Sequence, residues 1–163
     1  RISSKVTIPP EGAQGVIACQ GGNMSGWSLY LDEDGKPTYH YNCFGQYLTT
    51  ICAAEPLIEG DHEILIDYQH DGGFGNGGLA TLYIDGESVN SDRIERTVPI
   101  IFSMSGETFD VGIDTGAPVG PYPHRYPFNG EIHEVVLERM SRHDFKTKKK
   151  MKDGLRQAGL RSQ

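Results

Sequence analysis

The tightest constraint on this chain is the period of its apolar residues, which alternate in one short run after another. In Trp27-Ser28-Leu29-Tyr30-Leu31 the first, third and fifth side chains share a face. In Glu63-Ile64-Leu65-Ile66-Asp67-Tyr68, Ile64, Ile66 and Tyr68 do the same. Strand signals of this kind fall at Ser4–Ile8, Gly15–Gln20, Trp27–Asp32, Thr38–Phe44, Tyr47–Cys52, His62–His70, Leu79–Asp85, Ile100–Ser103, Thr108–Gly112 and Asn129–Glu138. Asp34-Gly35 and Asp85-Gly86 each offer the two positive-φ positions of a tight hairpin. No helical period appears before Arg139; beyond it Phe145, Lys148, Met151 and Leu155 fall at helix-compatible spacing, with Gly154 and Gly159 as weak points. With 163 residues, 21 Gly and 9 Pro, the chain suits one core wrapped by many short strands and tight turns. The expectation is all-β: an antiparallel β-sandwich, concanavalin- or jelly-roll-like, over residues 1–138. Residues 139–163 follow as a basic C-terminal tail, a short helix or a disordered end.

Charge divides the chain at the same place. Residues 1–138 carry 6 Lys and Arg against 20 Asp and Glu, a net −14, whereas residues 139–163 carry 9 against 2, a net +7. An acidic body argues against nucleic acid as a partner, since phosphate binding needs a basic face. The tail, with Lys146, Lys148, Lys149, Lys150 and Lys152, suits an anionic surface, RNA or acidic surface of its own protein. No apolar run approaches the roughly 18 residues of a membrane helix. Cys19, Cys43 and Cys52 are odd in number and lack C-x-x-C spacing, which argues against structural zinc and a full disulfide framework; buried free thiols are expected.

The motifs that carry chemistry elsewhere are weak here. Gly73-Phe74-Gly75-Asn76-Gly77-Gly78 matches G-x-G-x-x-G but runs into strand-like Leu79–Ile84 rather than a helix, so it reads as a connection between strands. Asp114-Thr115-Gly116 matches the signature of retroviral-type aspartic proteases, whose two Asp residues share a proton. With one such motif the chain would have to dimerise; the ordinary alternative is a turn in which Asp114 accepts from nearby amides. The six histidines form no H-x-H or H-x-x-x-H pair, and Asp32-Glu33-Asp34 reads as a solvated hairpin end rather than a calcium site. No G-x-S-x-G is present. Trp27, Tyr30, Tyr39, Tyr41, Phe44 and Tyr47 crowd one stretch, and core packing competes there with a sugar-stacking platform.

One resemblance runs through these residues. Gly15–Asn23 followed by Gly26–Leu31, then Gly35-Lys36-Pro37, Leu82–Gly86, Glu107–Gly112 with Asp114-Thr115-Gly116, and Phe128–Ile132 resemble in order the C-terminal region of bacterial-type arylsulfatases, over about residues 6–138. The resemblance implies a sulfuric ester hydrolase whose catalytic domain precedes this module, holds calcium and a formylglycine, and belongs to a periplasmic or secreted parent. None of the three cysteines has Pro two and Arg four positions later, so no catalytic, cofactor or metal residue carries over. The chain also opens at Arg1 directly on strand-like sequence, as a domain of a longer enzyme would. The expected role is therefore a non-catalytic accessory domain packing on the catalytic sulfatase domain of the same polypeptide, with oligomer contacts. Loop 71–78 and the segment Ala117–Pro127 are the elements expected to reach a partner. The alternative is a lectin-like, glycan-binding module presenting Trp27, Tyr39 and Tyr41 to carbohydrate; a dimeric aspartic protease through Asp114 is the remote one.

Overall fold

A computed structural model describes residues 1–100 and 109–139. Ten strands form there: β1 (Ile2–Ile8), β2 (Gly15–Gly21), β3 (Ser25–Leu31), β4 (Pro37–Cys43), β5 (Tyr47–Cys52), β6 (Gly60–His70), β7 (Asn76–Ile84), β8 (Glu87–Arg96), β9 (Phe109–Val111) and β10 (Glu131–Leu137). They make two five-stranded antiparallel sheets, ordered β10-β1-β6-β7-β8 and β5-β4-β3-β2-β9. The result is a jelly-roll-like β-sandwich, as the alternating pattern implies. The expected strand at Ile100–Ser103, beyond its first residue, and the basic tail, beyond Arg139, lie outside the described residues.

The core between the sheets is built by the period-two residues. Val6 and Ile8 of β1, Leu29 and Leu31 of β3, Ile64 and Ile66 of β6 and Leu82 of β7 are all at most 1% exposed. Burying one such side chain stabilises the fold by about 1.5–3 kcal/mol. The chain's first and last described strands are neighbours: Ile2 pairs Leu137, and Glu138 N–H donates to the Arg1 carbonyl at 3.0 Å. At the opposite edge β5 lies against β8, where Asn90 Nδ2 donates to the Cys52 carbonyl at 2.8 Å.

One turn and one strand differ from the sequence reading. Asp85 (φ 50°) and Gly86 (φ 83°) form the expected two-residue turn. Of Asp34-Gly35 only Gly35 has positive φ, at 79°. The β3–β4 connection is instead a wider loop closed by Asp32, whose Oδ1 accepts from the amides of Asp34 (3.0 Å) and Lys36 (2.8 Å). Strand β8 extends ten residues, yet among them only Ile94 is buried; its other side chains carry no apolar alternation to detect.

Sheet β5-β4-β3-β2-β9 is covered on both faces. Every residue of β3 and β4 is buried, although their sequences alternate. The second layer is the segment between β9 and β10. It leaves at Gly112 and returns where Val16 N–H donates to the Tyr126 carbonyl at 2.8 Å. On the way it sets Val119 and Tyr126 on Val16, Cys19 and Tyr30, the outward residues of β2 and β3.

Candidate functional site

The polar side chains converge where this covering segment meets the β3–β4 loop. Asp114 is the anchor. It is 1% exposed, and its Oδ2 accepts from Val119 N–H at 3.1 Å and from the Tyr122 hydroxyl at 2.7 Å. Asp110 does similar work one turn earlier, taking both the Thr115 amide (2.8 Å) and its hydroxyl (2.6 Å). The D-T-G motif is thus the turn in which Asp114 receives a backbone amide. A carboxylate this deeply sealed cannot meet a second copy across a dimer axis, which removes the aspartic-protease reading.

Held by Asp114, the Tyr122 ring lies edge-on to Tyr30 (4.9 Å, 63°) and stacks on Tyr126 (5.7 Å, 16°). These three rings form one wall of a cleft of about 380 Å³ whose other wall is Asp32, Glu33 and Asp34 of the β3–β4 loop. Burial pushes the Tyr30 phenol up, helped by Asp32. Burial does the same to Tyr126, reaching about 12 with help from Glu33 and Asp32, and to Tyr122, where Asp114 adds to it. All three phenols therefore stay protonated near neutral pH, Tyr122 already donating to Asp114, and they share the cleft with three carboxylate acceptors. The Tyr126 hydroxyl is sealed from solvent and has no hydrogen-bond partner among the described residues.

The rings expected to form a sugar platform lie elsewhere. Trp27, Tyr39 and Tyr41 are 4%, 4% and 5% exposed and belong to the core between the sheets. They are brought together along a cavity of about 300 Å³ with Tyr68 and Val98, and the Tyr41 hydroxyl accepts from Val98 N–H at 3.0 Å. None presents an open face to solvent. Of the six clustered aromatics, only Phe44, on the β4–β5 turn, and Tyr47, at the start of β5, are exposed. Sequence reasoning missed Tyr122 and Tyr126, whose Pro-flanked segment 121–127 signalled an irregular loop but not its position over β3.

Metal and nucleophile chemistry find little footing. Among the described residues one trio, Cys19, Asp110 and Asp114, sets its candidate ligand atoms within 4.8 Å of one another. Burial, then the neighbouring carboxylates, drives the Cys19 thiol upward, so it is a neutral SH rather than a thiolate ligand. Burial likewise raises Cys43. Of the Gly-rich run, residues 73–75 lie in the connection between β6 and β7 and 76–78 open β7 itself, so a strand follows it rather than a helix, as expected.

The geometry defines a β-sandwich with a polar, tyrosine-lined cleft. No protein-family model matches the chain, and no curated protein does. Solved structures match in fold. The CBM40 of Ruminococcus gnavus IT-sialidase aligns at a TM-score of 0.54 and 17% identity, covering 88% of this chain and 78% of that one. The same module bound to α2,3-sialyllactose aligns at 0.55 and 17% identity, over 88% and 77%. A native heptameric SAP-like pentraxin from Limulus polyphemus aligns at only 0.49 and 13% identity; 82% of this chain is covered, spanning 60% of the pentraxin's length.

These findings correct the arylsulfatase resemblance. The structural neighbour that aligns above 0.5 is a sialidase carbohydrate-binding module, not a sulfatase C-terminal domain, and no family model or curated protein supports a sulfatase or its catalytic domain as partner. The residues that carried the resemblance are those the sandwich itself requires. Gly21 and Gly26 face each other across the β2–β3 ladder, where a Cβ on either would come within 2.2 Å of a backbone oxygen. Asp114 anchors the covering segment. Such residues mark a fold without marking an activity.

Proposed function

We propose that this chain is a non-catalytic glycan-binding module whose ligand sits in the cleft between the β3–β4 loop and the segment 121–126. The observation that carries the reading is the meeting of three tyrosines and three carboxylates on one cleft of about 380 Å³. A sugar hydroxyl both donates and accepts, so it fits between a Tyr O–H and an Asp or Glu oxygen. Exposed Pro121 and Pro123 give the rim apolar surface at little entropic cost. The fold-level likeness to a carbohydrate-binding module that takes sialyllactose supports the class and not the ligand.

The test is titration of the purified domain against a panel of oligosaccharides by calorimetry and ligand-observed NMR. Glu33→Ala with Asp34→Ala lies on an exposed tip and should leave melting unchanged while weakening binding about tenfold, or 1.4 kcal/mol. Tyr122→Phe keeps the ring and should weaken binding less. Absence of binding to every sugar at millimolar concentration, or affinity indifferent to the tip substitutions, would overturn the reading.

A further inference from the structure

The signs of the charges around the cleft narrow its ligand, granted the glycan reading on which this step rests. Ionisable side chains on its walls, phenols aside, are Asp32, Glu33 and Asp34, all acidic. Asp32 Oδ1 is committed to the Asp34 and Lys36 amides. Asp34 has one cation near it, Lys36 Nζ at 3.5 Å, and is itself 74% exposed. No ion pair is recorded for Glu33 among the described residues. Among the described residues that line the cleft none is Arg or Lys, Lys36 being held at its edge by Asp34, and residues 1–138 as a whole are acidic.

A second observation points inward at a ligand. Tyr126 is 6% exposed and its hydroxyl is unpartnered, an arrangement that costs free energy until some group satisfies it. Burial, with the Glu33 and Asp32 carboxylates adding to it, holds that phenol protonated. A neutral sugar hydroxyl can accept from Tyr126 and donate to a carboxylate in the same pose. A sialic acid carboxylate can only accept, and it would lie against like charges.

We infer that the cleft selects uncharged, hydroxyl-rich sugars and discriminates against sialylated glycans, opposite to what its structural neighbour takes. The selection is made by the carboxylates directly, with no bridging metal. The experiment titrates the domain at low salt, with EDTA present, against lactose and the tightest uncharged oligosaccharide of the panel. The same is done with α2,3- and α2,6-sialyllactose, for the unaltered chain and for Glu33→Gln with Asp34→Asn. The expected result is at least tenfold weaker binding of sialosides than of the uncharged sugars, a gap that narrows to about threefold in the neutralised variant and with rising salt. Sialosides binding as tightly as the uncharged sugars, or a gap unmoved by neutralisation, overturns the inference while leaving a glycan module standing. Uncharged-sugar binding that vanishes in EDTA overturns it too. Binding to neither class overturns both readings together.

Discussion

Replacing Asp114 by Ala tests the anchor beneath the cleft. The substitution strips the acceptor from Val119 N–H and Tyr122 O–H, at 3.1 and 2.7 Å, in a site 1% exposed. Each orphaned buried donor costs about 1–3 kcal/mol. The carboxylate's own desolvation penalty disappears with it, which trims the sum, and a loss of about 3–5 kcal/mol is expected. Against a total stability of about 5–15 kcal/mol the domain should remain folded but melt roughly 10 °C lower. Urea unfolding followed by the single Trp, Trp27, is the assay, because that ring is 4% exposed and reports core opening. Tyr122→Phe should lose about 1 kcal/mol, and the double variant should show a coupling near 1 kcal/mol, since the two side chains share one hydrogen bond. A loss under about 0.5 kcal/mol for Asp114→Ala, with the slope against urea unchanged, would refute the anchoring role.

Two further outcomes follow from the same structure. His40 is 5% exposed beneath the covering segment, its Nδ1 is 2.8 Å from Thr50 Oγ1, and burial lowers its pKa below 6.5. The unfolded chain therefore binds this proton more readily, so the His40 contribution is complete above about pH 6.5 and is lost as pH falls through that value toward the folded pKa. Melting temperature should decline between pH 7.5 and 5, and His40→Gln should flatten the decline; an unaltered slope would show that another group governs it. Gly77→Ala would place a methyl 1.8 Å from the Ile94 carbonyl oxygen and 2.6 Å from that of Glu95, so β8 must shift away from β7. A loss of more than about 2 kcal/mol in urea unfolding is expected, and a neutral result would contradict the close approach of these strands.

Much of the sandwich was legible because its core is made by alternation. Tyr47–Cys52 is a strand over the same residues in sequence and structure, and most other strands differ by a residue or two at their ends. The same periodicity explains why the aromatic platform failed. Tyr39 pairs Leu29 and Tyr41 pairs Trp27 across the β3–β4 ladder, so these rings share the face that points into the core. Strand β8 was illegible since an edge strand with one buried side chain owes its pairing to the Asp85-Gly86 turn and to β7 rather than to its own pattern. The cleft was illegible for a different reason. Tyr30 and Asp32 meet Tyr122 and Tyr126 across some ninety residues of chain, a juxtaposition that no local spacing encodes. Its one local trace was Asp114, whose motif pointed to catalysis but serves a turn.

The side-by-side pairing of β1 with β10 governs how this fold is assembled and mounted. The sheet that holds β1 next to its edge stays one strand short until Glu131–Leu137 arrives, so closure waits on a contact spanning almost the whole described chain and belongs to the slow end of folding topologies. It also puts entrance and exit at one corner, which lets such a body be spliced into a host loop, or its ends be joined and reopened elsewhere, without disturbing the sheets.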